Sequence, residues 1–222
     1  MGRDNHPRAR QFKRDLQRKK ALTGSYDRIL IVTEGEKTGP LYFQEIKHTY
    51  KLHTANVQIM QSGYGTTPQQ VVDFAYNYCK ETKEWEQVFC VFDRDDHPNY
   101  LNAIHSAISK DKKLRNDNNE AIRFIAITSI PCFELWFLLH FMPVTSYIHR
   151  DDVARKLKAK GRIPGYEKGA TGCFELSKGK LESAYSNADR LKVNAPLTSK
   201  NTENPFTNAG YLVKCLTTLK HH

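Results

Sequence analysis

The sequence predicts an α/β fold: a parallel sheet flanked by helices, followed by a helical C-terminal elaboration. Three observations carry this reading. Short apolar, β-branched runs recur along roughly the first 130 residues and alternate with segments of helical periodicity, the pattern of βα units. The runs are apolar at nearly every position, as strands buried on both faces are. After Pro143 the strand-like runs stop and amphipathic helical segments take over.

The elements follow in order. Arg28–Thr33 is the first strand, ending in the loop Glu34-Gly35-Glu36-Lys37-Thr38-Gly39. Thr38 suits an N-cap for a helix starting near Pro40, with Leu41, Tyr42, Phe43 and Ile46 apolar. Val57–Met60 is a second strand, and Gly63–Thr67 a glycine-containing loop whose spacing is not that of a P-loop. Thr67 as N-cap and Pro68 at the first helical position open a helix bearing Val71, Val72, Phe74, Ala75 and Tyr78. The third strand, Val88–Phe92, leads to a helix over Tyr100–Ser109, and Ile122–Thr128 is the fourth strand. Residues 131–142 form a helix apolar on almost every side, hence buried. Helices follow over Asp151–Lys160 and Glu175–Asp189, separated by a loop with Arg162, Tyr166 and Lys168. A polar linker runs through Asn204, and Pro205 opens a last helix with Ala209, Leu212, Val213, Leu216 and Leu219 as its stripe. The chain thus divides into a basic arm (1–25), an α/β core (26–142) and a helical C-terminal part (143–222).

Composition narrows the classes. With 222 residues, 39% apolar and 11% aromatic, the chain can bury a full core and is not a disordered protein. No apolar run approaches a membrane span, and the N-terminus lacks the apolar stretch of a secretory signal. Cys79, Cys90, Cys132, Cys173 and Cys215 form no C-x-x-C pair, which argues against a zinc site and for a reducing, cytoplasmic location. The net charge of +10 is uneven: residues 1–28 hold nine Lys/Arg against three Asp/Glu, and the remainder 25 against 21. The basic segment has almost no apolar periodicity. It reads as an arm for a phosphate backbone, through Arg8, Arg10, Lys13 and Arg14 among others; a solubilising tail or a partner-binding arm fits the same charges.

Chemistry concentrates where strands end. The third strand runs into Asp93-Arg94-Asp95-Asp96-His97, and the first into Glu34. In open α/β sheets ligands collect beyond the carboxyl ends of the strands. Asp93 and Asp95 are two apart, so extended backbone aims both to one side. With Glu34 they would form a compact oxygen site for Mg2+ or Mn2+; a solvated acidic turn reads the same way in one strand alone. Glu134 is the single carboxylate in the all-apolar segment 131–142. It fits either a metal ligand or water-orienting base, or a carboxylate satisfying first-turn amides. His97 is the candidate for proton transfer or phosphate contact, whereas His140 reads as a hydrogen-bonded core histidine. Lys37 and Arg94 are candidates for nucleic-acid contact, and Lys156, Lys158, Lys160, Arg162 and Lys168 could line a nucleic-acid groove or equally form a basic solvated face.

A strand-end glutamate, an intervening βα unit and a strand-end Asp-x-Asp resemble a topoisomerase–primase (TOPRIM) domain. More closely, the chain resembles the RloB-like family of phage-defence-associated prokaryotic proteins. The segments that carry this are Ile31–Thr38, Phe92–His97, Ile130–Phe141 and Asn204–Thr207, spread over nearly the whole chain. Ile130 departs from the asparagine that often begins the third block. The resemblance implies a TOPRIM-like sheet and a metal-dependent nuclease acting in anti-phage, abortive-infection defence, beside an ATPase partner. Glu34 would serve as general acid or base, Asp93 and Asp95 as metal ligands, and Glu134 in the catalytic site, where His97 is placed by its position beside the aspartates. A nucleic-acid-binding or regulatory subunit with an inactive acidic site is the alternative. No motif chooses between DNA and RNA.

Overall fold

The computed structural model describes residues 27–54, 56–63, 67–94, 97–192 and 203–219. The arm, including Arg8, Arg10, Lys13 and Arg14, and the pair Asp95 and Asp96 lie outside the described residues.

Five strands form one mixed sheet in the order β2-β1-β3-β4-β5. They are β1 (Ile29–Thr33), β2 (Val57–Gln61), β3 (Gln87–Asp93), β4 (Arg123–Ile130) and β5 (Phe206–Thr207). The first four pair in parallel, as their unbroken apolar runs require. Helices α1 (Thr38–Thr49), α2 (Pro68–Thr82) and α3 (Tyr100–Lys110) make the crossovers. Alternate residues of each strand feed opposite faces. Ile29, Ile31, Phe89, Val91 and Ile127 pack with α1 and the C-terminal helices. Leu30, Val32, Val88, Cys90 and Phe92 pack with α2 and α3. The period of two therefore builds a core on each side of the sheet.

The expectation of an all-parallel sheet is corrected at one edge. β5 pairs antiparallel with β4, Ser129 opposite Thr207 and Ile130 opposite Phe206. Pro205 accordingly does not open the last helix. Phe206 is buried in the second core, and the helix α8 (Ala209–Thr218) begins only after Asn208. Asn208 ties the edge together: its Oδ1 accepts from the Thr128 N–H at 2.7 Å and its Nδ2 donates to the Ala126 carbonyl at 2.9 Å.

Other boundaries shift for local reasons. Thr67 and Gln70 form the expected capping box at the start of α2. Thr38 is not an N-cap: Lys37 holds that position, and the Thr38 hydroxyl turns to a buried carboxylate instead. The apolar segment 131–142 is helical only over α4 (Glu134–Leu139), every residue of which is buried. Its flanks tighten into i→i+3 turns, such as Leu135 N to Cys132 O and His140 N to Phe137 O. Helix α5 spans Arg150–Leu157. The helix expected over Glu175–Asp189 is two, α6 (Cys173–Ser177) and α7 (Leu181–Lys192), joined by a 3₁₀ turn at Lys178–Lys180. Gly179 sits at that break, where a helix interior is least stable.

Candidate active site at the carboxyl end of the sheet

Strand register brings the first two carboxylates together. Thr33 lies opposite Val91, and the Glu34 N–H extends the ladder to the Val91 carbonyl at 3.0 Å. Glu34 thus leaves β1 beside the last residues of β3. Its Oε2 accepts from the Asp93 N–H at 3.2 Å, and its Oε1 lies 3.0 Å from His97 Nε2. The expected placement of Glu34 and Asp93 at neighbouring strand ends holds, and His97 joins them.

Glu134 reaches the same cavity from the other side. It is only 7% exposed, yet it lines an open cavity of about 600 Å³ with Glu34, Asp93 and His97. Its Oε1 accepts from the Thr38 hydroxyl at 3.0 Å and from the Tyr166 hydroxyl at 2.9 Å. A buried carboxylate is tolerable only with such donors. These donors come from α1 and from the loop after α5, so Glu134 joins three parts of the chain. Burial, together with the Glu134 charge, pushes the Tyr166 phenol far above its ordinary pKa and keeps it a donor.

Neither Thr38 nor Tyr166 was legible as a partner of Glu134. Both lie far from it in sequence, and each alone is an ordinary polar residue. Lys168 also lines the cavity, beside Lys37. By contrast Lys158, Lys160 and Arg162 do not line it; Lys158 and Lys160 are exposed at the end of α5, and Arg162 donates to the Lys156 carbonyl at 2.6 Å. Arg94 lies on the opposite side of the β3 end from Asp93, lining a smaller cavity with Arg150 and Tyr147.

His140 is the core histidine its surroundings suggest. Its Nδ1 lies 2.9 Å from the Trp136 carbonyl, which can only accept, so Nδ1 carries the proton. Burial lowers its pKa to about 4.

Among the described residues, no three His, Cys, Asp or Glu side chains are grouped to hold a metal. The donors Glu34 and Asp93 suit a hard divalent cation nonetheless. Mg2+ is commonly held by one or two carboxylates and keeps several of its waters.

The fold is that of an α/β protein with an acidic cavity at the carboxyl end of a mostly parallel sheet. A family model described as RloB-like protein matches residues 29–216, and the chain belongs to that family. No curated protein and no solved structure matches it. No helix among the described residues is long and apolar enough to cross a membrane.

Proposed function

We propose that the protein is a metal-dependent nuclease of TOPRIM type that cleaves nucleic-acid phosphodiesters. The observation that supports this best is the convergence of Glu34, Asp93, His97 and Glu134 on one cavity at the strand ends. Acidic oxygen donors gathered in a cleft suit chemistry on a polyanion only when a cation offsets their charge. Glu34, Asp93 and Asp95 would hold Mg2+ or Mn2+, which when bound stabilises charge developing on a phosphate oxygen.

The chain's own residues supply the rest. Glu34 Oε1, 3.0 Å from His97 Nε2, is placed to take a proton from an attacking water and pass it on, or to return one to the leaving oxygen. The Asp93 N–H holds the Glu34 carboxylate in orientation through Oε2. Glu134, fixed by Thr38 and Tyr166, presents a rigid anionic wall that orients water or a metal-bound group. The +10 charge, concentrated in the arm, supplies sequence-blind attraction to the substrate. Membership in the RloB-like family supports a role as the effector of an anti-phage defence system, in the cytoplasm and beside an ATPase partner.

The test is direct. The purified chain is incubated with plasmid, single-stranded DNA and tRNA, with Mg2+, with Mn2+ and with EDTA. Cleavage of at least one substrate that requires the metal is expected. Cleavage undiminished in EDTA would overturn the mechanism. Binding without cleavage under every condition would instead favour a nucleic-acid-binding subunit with an inactive acidic site.

A further inference from the structure

The loop between α5 and α6 is fastened at three places, two of them on residues that line the acidic cavity and the third on α1 where the loop enters α6. Tyr166 donates to Glu134 at 2.9 Å. At Gly169 the backbone is left-handed, with φ +89°, and lies directly on the Lys37 stem: a Cβ built there would be 3.0 Å from the Lys37 Cβ. Beyond it, the Gly172 and Phe174 N–H groups both donate to the carboxylate of Glu45 on α1, at 2.5 and 2.7 Å. Such pinning is more than a surface loop needs to close, since loops ordinarily run free over the surface. Its product is the placement of Lys168 on the cavity wall next to Lys37.

Both ammonium groups are on exposed residues, and among the described residues neither lies within ion-pair distance of a carboxylate. They share the cavity with Glu34, Glu36, Asp93 and Glu134. The first turn of α1 opens into the same space and has no side-chain cap. A cavity with carboxylates and two lysines suits a group that is anionic yet approaches a cation site, as a phosphodiester does.

We propose that Lys37 and Lys168 form a two-lysine clamp that positions a backbone phosphate of a nucleic-acid strand over the carboxylates, with Lys168 delivered by the C-terminal half. This rests on the nuclease reading for its substrate but is tested by binding alone. A clamp of this kind makes the C-terminal part a contributor to the site rather than a support for it. It also separates Lys168 from Lys158 and Lys160, which lie on the same half of the chain but not on the cavity.

The test uses the full chain and a labelled oligonucleotide in EDTA, where no metal-dependent cleavage occurs. Affinity is measured across a salt titration for wild type, Lys168→Ala, Lys168→Arg, Lys37→Ala and, as controls, Lys158→Ala and Lys160→Ala. Lys168→Ala and Lys37→Ala should each weaken binding several-fold for all sequences alike and lower the log–log salt slope by about one. Lys168→Arg should restore the slope, and the controls should match wild type. In parallel, lysine acetylation read by mass spectrometry should show Lys37 and Lys168 protected by the oligonucleotide, and Lys158 and Lys160 unprotected. Wild-type affinity, slope and acetylation at Lys168 in the presence of the strand would overturn the clamp, as would failure of the wild type to bind at all. Equal protection by inorganic phosphate at matched ionic strength would overturn the assignment to a strand. If the lysine effects appear but no metal ion brings about cleavage, the nuclease reading fails and the clamp stands. Metal-dependent cleavage with Lys168→Ala binding as wild type gives the reverse.

Discussion

Glu34 is held on both oxygens, by the Asp93 N–H and by His97 Nε2, so its position is fixed before any substrate arrives. Converting it to glutamine keeps the shape and removes the charge and the basicity. In the proposed mechanism Glu34→Gln should therefore lower single-turnover cleavage about 10²–10⁴-fold. Asp93→Asn should do the same and Asp95→Asn likewise, while far-UV circular dichroism and oligonucleotide affinity stay close to wild type. A variant cleaving within a few-fold of wild type removes that residue from the chemistry. His140 makes a different test, of stability. Its pKa is lowered from 6.5 to about 4, chiefly by burial. Above about pH 6.5 the ring is neutral in both folded and unfolded chains, and the full stability is present. As pH falls from 6.5 toward 4, the unfolded chain takes up a proton that the folded one refuses, so stability drops, by on the order of 3 kcal/mol in all. Urea midpoints between pH 7 and 4 should fall more steeply for wild type than for His140→Gln; parallel slopes would show that His140 does not titrate this way. The strand-end acids were readable from sequence because an apolar run that stops at a carboxylate marks its own sheet edge. The bonds of Thr38 and Tyr166 to Glu134, and the place of Lys168 on this cavity, were not, because only the closed fold carries the loop after α5 back to Glu134.

Elements were legible in proportion to the periodicity they contain. β1 and β3 declare themselves by unbroken apolar runs, and α2 by its helical repeat and capping box. β5 is two residues long, too short for any repeat, and Asn208 just beyond it bonds both the Thr128 N–H and the Ala126 carbonyl of β4. The segment from Glu175 misled for the opposite reason: its apolar spacing continues across Lys178–Lys180, while the backbone changes to a 3₁₀ turn at Gly179. The weight on Asn208 can be measured. Asn208→Ala leaves the Thr128 N–H and the Ala126 carbonyl without their side-chain partner on a partly buried edge. A loss of about 1–3 kcal/mol in unfolding free energy is expected from equilibrium urea denaturation. Asn208→Asp keeps an acceptor for Thr128 but gives up the donor to Ala126, and should fall between the two. If Asn208→Ala unfolds at the wild-type midpoint, β5 is held by Phe206 and Thr207 alone.

Across the whole molecule the two ends of the sheet are charged in different ways. At the amino end Arg28, just ahead of β1, is paired with Glu86 and Asp117, and this raises its pKa further. There the charge of Arg28 is balanced locally. At the carboxyl end four carboxylates and two lysines face one open cavity. The protein's excess positive charge is in neither place but mostly in residues 1–26. A site rich in carboxylates repels a polyanion at distances where only net charge is felt, so the arm's charge is what would bring a strand within reach. Residues 1–20 hold eight basic and two acidic side chains, so deleting them takes the net charge from +10 to +4. The truncated chain should bind DNA and RNA of every sequence more weakly, with a flatter log–log salt dependence reduced by several released counterions. The truncated segment precedes the first strand, so the melting temperature should stay within a few degrees of wild type. Single-turnover cleavage at saturating strand should also be preserved, because the carboxylates and both cavity lysines remain. If the truncated chain binds as tightly as the full one throughout the salt titration, the arm's charges serve a protein partner or solubility, and strand capture belongs to the body of the protein alone.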